Sequence, residues 1–199
     1  MVFGFQPPLL CQEQLVRLML RHKTTVAFGA VTVGVALLAY YYLQYTPRTF
    51  AEAVRQANEV VIYEGLPHQM WEPELLEEER RNKDVVELDG YPFYQRPVKS
   101  DRRDAESLSA VLGDPATYHA WKGPKMCGGF HPDYAVEWHI GESRYRVLIC
   151  LGCGEFKLSG PWLWSRSRYN MDKDTTGEKL KDLLKGYDKS RPKGWWYQR

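Results

Sequence analysis

Hydrophobic and polar positions along this 199-residue chain change period several times, and each change predicts an element. The first stretch has no charge at all: from Thr24 to Pro47 every side chain is neutral, with Lys23 and Arg48 as its bounds. Val26, Phe28, Val31, Val33, Leu37 and Leu38 give it apolar surface, and Tyr40, Tyr41, Tyr42 and Tyr45 gather at one end like an interfacial aromatic belt. A helix of about 20 such residues crosses a hydrocarbon core of roughly 30 Å and satisfies its own backbone there. The pattern predicts a single transmembrane helix over 24–47. A cleaved signal peptide would need a small-x-small site, which Ala36 and Ala39 supply poorly. Before the run, Leu9, Leu10, Leu15, Leu18 and Met19 mix with Gln12, Glu13 and Arg17, so the arm 1–23 is expected to lie as an interfacial helix.

Beyond Pro47 the periods are those of a globular domain, 48–188. Thr49 and Glu52 have capping-box spacing ahead of a short helix ending near Ala57, and Val60–Tyr63 reads as a buried strand closed by Gly65 and Pro67. Pro73 opens a helix whose Glu77–Glu79 precede Arg80 and Arg81, in the sense the helix dipole favours. Val85–Leu88 and Tyr91–Tyr94 flank an Asp89-Gly90 turn. Ala105, Leu108, Val111 and Leu112 share one helical face, with Asp104 as the expected cap. From Tyr134 the period becomes two: Val136, Trp138 and Ile140 alternate with Glu137 and His139, and Arg144–Leu151 returns as the second arm of a hairpin. Further strands are expected at Glu155–Leu158 and Pro161–Ser165. A last helix carries Leu180, Leu183 and Leu184 behind a Thr175–Glu178 capping box. The predicted fold class is therefore α+β: an N-terminal single transmembrane helix followed by a small antiparallel sheet packed with helices.

Charge sharpens this division. The totals nearly balance, 27 basic against 25 acidic, which argues against nucleic acid as a partner. The balance is uneven along the chain. Residues 1–45 carry +2, residues 179–199 carry +5 from seven basic and two acidic groups, and the body between them carries −5. Arg17, Arg21 and Lys23 outnumber Arg48 and Arg55 across the uncharged run, which places the main domain on the extracytoplasmic side. The segment 189–199 is a basic aromatic tail whose Trp195, Trp196 and Tyr197 suit contact with a partner protein or lipid headgroups, and which could also fold back on the acidic body.

Candidate chemistry centres on cysteine and histidine. Cys150-Leu-Gly-Cys153 follows a predicted strand, and with Cys127 and His131 it makes a Cys3His set that could hold zinc. The same cysteines suit a structural disulfide, plain buried thiols, or a redox pair, and composition leaves these open. Haem attachment would need histidine after the second cysteine, where Gly154 stands. His131, Asp133, Tyr134, Glu137 and His139 could form an acid/base site, with Glu137 and His139 on one strand face. No Walker A loop, G-x-G-x-x-G, H-E-x-x-H or G-x-S-x-G occurs, so no catalytic residue is assigned and the chain reads as non-enzymatic.

The run Met126-Cys-Gly-Gly-Phe-His131-Pro-Asp-Tyr134, with Val147–Cys153, resembles a motif pair of small uncharacterised bacterial proteins that are exported or membrane-attached. The similarity covers roughly residues 59–192. It implies extracytoplasmic placement and no particular mechanism. The expectation from sequence is a single-span protein with a non-catalytic extracytoplasmic domain, an accessory subunit whose partners are the lipid bilayer and other membrane protein subunits. The alternative is a zinc or thiol-redox module using Cys127, Cys150 and Cys153.

Overall fold

The computed structural model describes residues 31–38, 50–124, 128–161 and 167–192. The chain divides into two units, Met1–Thr46 and Pro47–Arg199. Of the first, the described part is one helix, α1 (31–38), with Val31, Val33, Val35, Leu37 and Leu38 all exposed.

Here the predicted fold class is corrected in two respects. No helix among the described residues is long and apolar enough to cross a membrane. Nor is the sheet of the second unit small: it has seven strands.

That unit begins with α2 (Phe50–Gln56) and β1 (Glu59–Glu64), then α3 (Pro73–Asn82) and the hairpin β2 (Val85–Leu88) and β3 (Tyr91–Tyr94). β4 (Val98–Lys99), α4 (Arg102–Leu112) and β5 (His119–Ala120) lead to the long strands β6 (Tyr134–Ile140) and β7 (Ser143–Cys150). β8 (Glu155–Ser159), β9 (Ser167–Asn170) and α5 (Glu178–Leu184) complete it. The main sheet is antiparallel in the order β4-β1-β6-β7-β8-β9-β5, and β2 with β3 makes a separate two-stranded sheet.

Strand periodicity sorts the sheet's faces. Ile62, Val136, Val147 and Leu158 stand in one cross-strand row, and Val60, Trp138 and Tyr145 in the next. All are buried against Phe50 and Val54 of α2, Leu108 and Leu112 of α4, and Leu180 and Leu184 of α5. Trp138 is wholly buried, so its indole N–H needs a partner, and it donates to Ser109 Oγ at 3.0 Å. The opposite face carries the row Tyr63, Ala135, Leu148, Lys157, Arg168. Its apolar half is covered by the hairpin through Leu88 and Phe93; its cationic half is not part of that cluster.

Two caps differ from expectation. Asp101, not Asp104, caps α4, its carboxylate accepting the Asp104 amide at 2.8 Å, which adds a turn bearing Arg102 and Arg103. The Thr175–Glu178 box is replaced by a wide turn over Lys173–Gly177 capped by Asp172, and Gly177 precedes α5 without a side-chain cap. The expected strand at Pro161–Ser165 falls largely outside the described residues, as do the Thr49 cap, the tail from Lys193 onward and most of 24–47.

Candidate functional site

The first concentration of polar chemistry lies at the end of the sheet where β1 and β6 meet the loops that follow β1 and precede β6. Gly65 lets these loops touch: a Cβ there would stand 2.1 Å from the Pro132 carbonyl oxygen, while its amide bonds Asp133 O at 2.8 Å. Gly128 and Gly129 have φ of 82° and 92°, the left-handed region glycine enters freely, and a Cβ on Gly128 would meet Met70 Sδ and the His68 ring.

Glu64, 6% exposed, accepts the backbone amides of Lys189, Ser190 and Arg191 at 3.0, 2.7 and 2.8 Å. Arg191 then turns its side chain, 4% exposed, inward to Glu72 Oε2 at 3.2 Å and Asp133 Oδ1 at 3.4 Å. Asp133 Oδ2 also accepts the Leu151 amide at 2.8 Å, tying this latch to the turn after β7. Burial pushes the Asp133 carboxyl up, against the pull of Arg191 and the loop amides. The start of the basic tail thus rests on acidic groups of the body.

His68 and His131 lie beside the latch with ring centres 4.5 Å apart. His68 Nδ1 accepts the Met70 amide at 3.0 Å, and burial, with Arg191 nearby, lowers its pKa. His131 is pushed down to about 3 by burial, then by His68 and Arg191, so it is neutral in the folded protein. Its Nε2 is buried without a hydrogen-bond partner while the Leu66 backbone engages the ring.

The cysteines separate. Cys153 is disulfide-bonded, whereas Cys150 is a buried free thiol. Cys150 Sγ accepts the Cys153 amide at 3.3 Å, but the two sulfurs are not bonded to each other. Burial, reinforced by the Asp133 carboxylate, pushes the Cys150 thiol up to about 12. A thiolate nucleophile or redox thiol needs the opposite shift. The thiol is therefore held protonated at pH 8, so iodoacetamide is expected to leave it unmodified in the native chain and to label it in urea. Rapid native labelling would contradict this burial.

Of the zinc set, His131, Cys150 and Cys153 are described and Cys127 is not. Among the described residues no group of three His, Cys, Asp or Glu could hold a metal ion. A sulfur already in a disulfide is a poor zinc donor, so Cys153 as bonded here does not supply a ligand. Trp195, Trp196 and Tyr197 lie outside the described residues.

A second concentration occupies the sheet's other face. Glu137, 3% exposed, accepts from Arg146 Nε at 2.9 Å and lies 2.8 Å from His139 Nε2; His139 Nδ1 is 3.2 Å from Glu59. Glu137 and His139 thus share a face as the period of two requires. Carboxylates clamp both imidazole nitrogens, which leaves neither free for a substrate's proton. Arg146 extends the network to Asp89 at 3.0 Å. Tyr134 and Asp133, adjacent in sequence, point to opposite faces, with the Tyr134 hydroxyl donating to Asp188.

No family model, curated protein or solved structure matches the chain. The reading of its function therefore rests on the chain's own geometry.

Sequence reasoning missed Glu64 and Glu72 as partners of Arg191, and His68 beside them. They lie some 120 residues away in the chain, beyond any motif spacing. The only signal was the charge contrast between the −5 body and the +5 C-terminal segment.

Proposed function

We propose that the Pro47–Arg199 unit is a non-catalytic accessory domain that works outside the cytoplasm by binding other protein subunits. The observation that carries this reading is how the candidate chemistry is spent. Arg191 is locked between Glu72 and Asp133, His139 between Glu59 and Glu137, and the Cys150 thiol is held protonated. An active site keeps a nucleophile or base available to substrate; these groups bind one another instead. The Cys153 disulfide supports an oxidising compartment, because such bonds persist outside the reducing cytoplasm. Met70 and Trp71 are 57% and 46% exposed beside the His68 loop, residue types that interfaces favour.

Native mass measurement of the full chain, gently extracted from its source cells, tests the proposal. The chain is expected in a complex of defined stoichiometry, and Met70→Ser with Trp71→Ser is expected to weaken that complex at least tenfold while leaving the thermal midpoint of the isolated chain unchanged. A monomer under these conditions, or a turnover activity abolished by His139→Gln, would remove it.

A further inference from the structure

A cleft of about 560 Å³ opens between α3, the β2–β3 turn and strands β8 and β9. Its basic lining is Arg80, Lys157 and Arg168; its acidic lining is Glu87 and Asp89. Asp89 is already engaged, accepting from Arg146 at 3.0 Å and from the Ser159 hydroxyl at 2.5 Å. Lys157 and Arg168 are direct register partners on neighbouring antiparallel strands. Such partners have Cβ atoms about 4.5–5.5 Å apart, and like charges so placed destabilise a sheet.

The fold neutralises that repulsion only in part: the buried Glu155 forms an ion pair with Arg168 at 3.6 Å, and Lys157 has no such partner among the described residues. Lys157 Nζ donates to the Tyr91 hydroxyl and lies 4.4 and 4.5 Å from the centres of the Tyr91 and Phe130 rings. These contacts hold the ammonium in place without cancelling its charge, and among the described residues no carboxylate comes within ion-pair distance of it. Arg168 stacks over Trp121 at 5.0 Å and reaches Phe130 at 5.6 Å. Glu155 Oε2 is 3.6 Å from its Nε, too poorly placed to accept a hydrogen bond, so that buried N–H is unsatisfied. Two cations are thus oriented by three aromatic rings toward one cleft, with Arg80 exposed at its rim.

We propose that this cleft binds a small organic oxyanion, a phosphate or carboxylate held between Lys157 and Arg168. The anion supplies the counter-charge that Lys157 lacks and relieves what is left of the cross-strand repulsion, and the planar guanidinium and the ammonium donate charge-assisted hydrogen bonds to its oxygens. Rings that fix both cations beforehand reduce the ordering cost of binding. This site is separate from the accessory role proposed above and stands or falls without it.

The test uses the full chain with inorganic phosphate and, separately, citrate as probes, each titrated against sodium chloride at equal ionic strength. A saturable rise in thermal midpoint is expected with at least one probe and not with chloride; which probe acts distinguishes a phosphate from a carboxylate ligand. Arg168→Gln is expected to weaken the apparent Kd at least tenfold. Lys157→Glu is the more discriminating variant: it places a carboxylate opposite Arg168, so the midpoint without anion is expected to rise while the anion-dependent rise disappears. A chloride effect equal to both probes, or an unchanged Kd in Lys157→Glu, would overturn the proposal.

Discussion

Arg191→Met is expected to destabilise the Pro47–Arg199 unit by about 3–5 kcal/mol, the usual consequence of removing one partner from a buried ion cluster. The guanidinium is 4% exposed and shared between Glu72 and Asp133, whose side chains are 7% and 10% exposed. Methionine fills much of the volume but leaves two carboxylates facing each other without a cation. They must then be hydrated by opening the loops or be protonated, and either route weakens the joint at Gly65. Glu64 would keep its three backbone amides, so the tail is expected to stay docked while the loops beneath it loosen. Urea unfolding of the full chain measures the loss. A companion variant, Arg191→Met with Glu72→Gln and Asp133→Asn, removes all three charges and is expected to recover at least half of it, since a buried charge network is often no more stable than a neutral one of similar shape. A loss below about 1 kcal/mol for Arg191→Met, the worth of an exposed pair, would mean that the latch does not form in solution.

The elements of the sheet were the most legible part of the sequence, because burial on one face forces a period of two. The alternation of Val136, Trp138 and Ile140, with Arg144–Leu151 returning after the turn, marked the hairpin that forms as Tyr134–Ile140 and Ser143–Cys150. What the sequence could not supply was anything fixed by pairing at long separation. That β1 inserts between β4 and β6, or that Lys157 stands opposite Arg168, depends on which strands find each other, and the strand-forming residues do not encode it locally. Caps failed where two acceptable residues competed: Asp101 and Asp104 both suit an N-cap, and Asp101 lengthens α4 by an additional turn. The uncharged run 24–47 was read from length and hydropathy, and the described residues contain no helix that meets the requirement. The cysteine motif was recognised, but C-x-x-C spacing cannot say whether its two sulfurs bond each other. Here Cys153 is bonded elsewhere and Cys150 is left as a thiol.

The second large effect concerns pH. His131 has its pKa lowered from 6.5 to about 3 because burial, then His68 and Arg191, disfavour the imidazolium. In the unfolded chain the same group titrates near 6.5. A base with a depressed folded pKa gives stability that is complete above the unfolded value and is lost as pH falls below it, since only the unfolded state takes up the proton. Between pH 7 and 5 this amounts to about 2 kcal/mol for one histidine. His68, lowered in the same direction, adds to the loss, while Asp133, whose carboxyl is raised, acts in the opposite sense. The acids with lowered values, Glu59, Asp172 and Asp182, titrate below this window. His131→Asn separates the contributions: the amide can still meet the Leu66 backbone, but it does not titrate. The variant is expected to be less stable at pH 7, because a smaller side chain leaves space beside His68, yet its stability should fall by about 2 kcal/mol less between pH 7 and 5. Urea midpoints at the two pH values give the comparison. Parallel slopes for wild type and variant would mean that protons reach the His131 imidazole in the folded state, and its burial beside Arg191 would have to be abandoned.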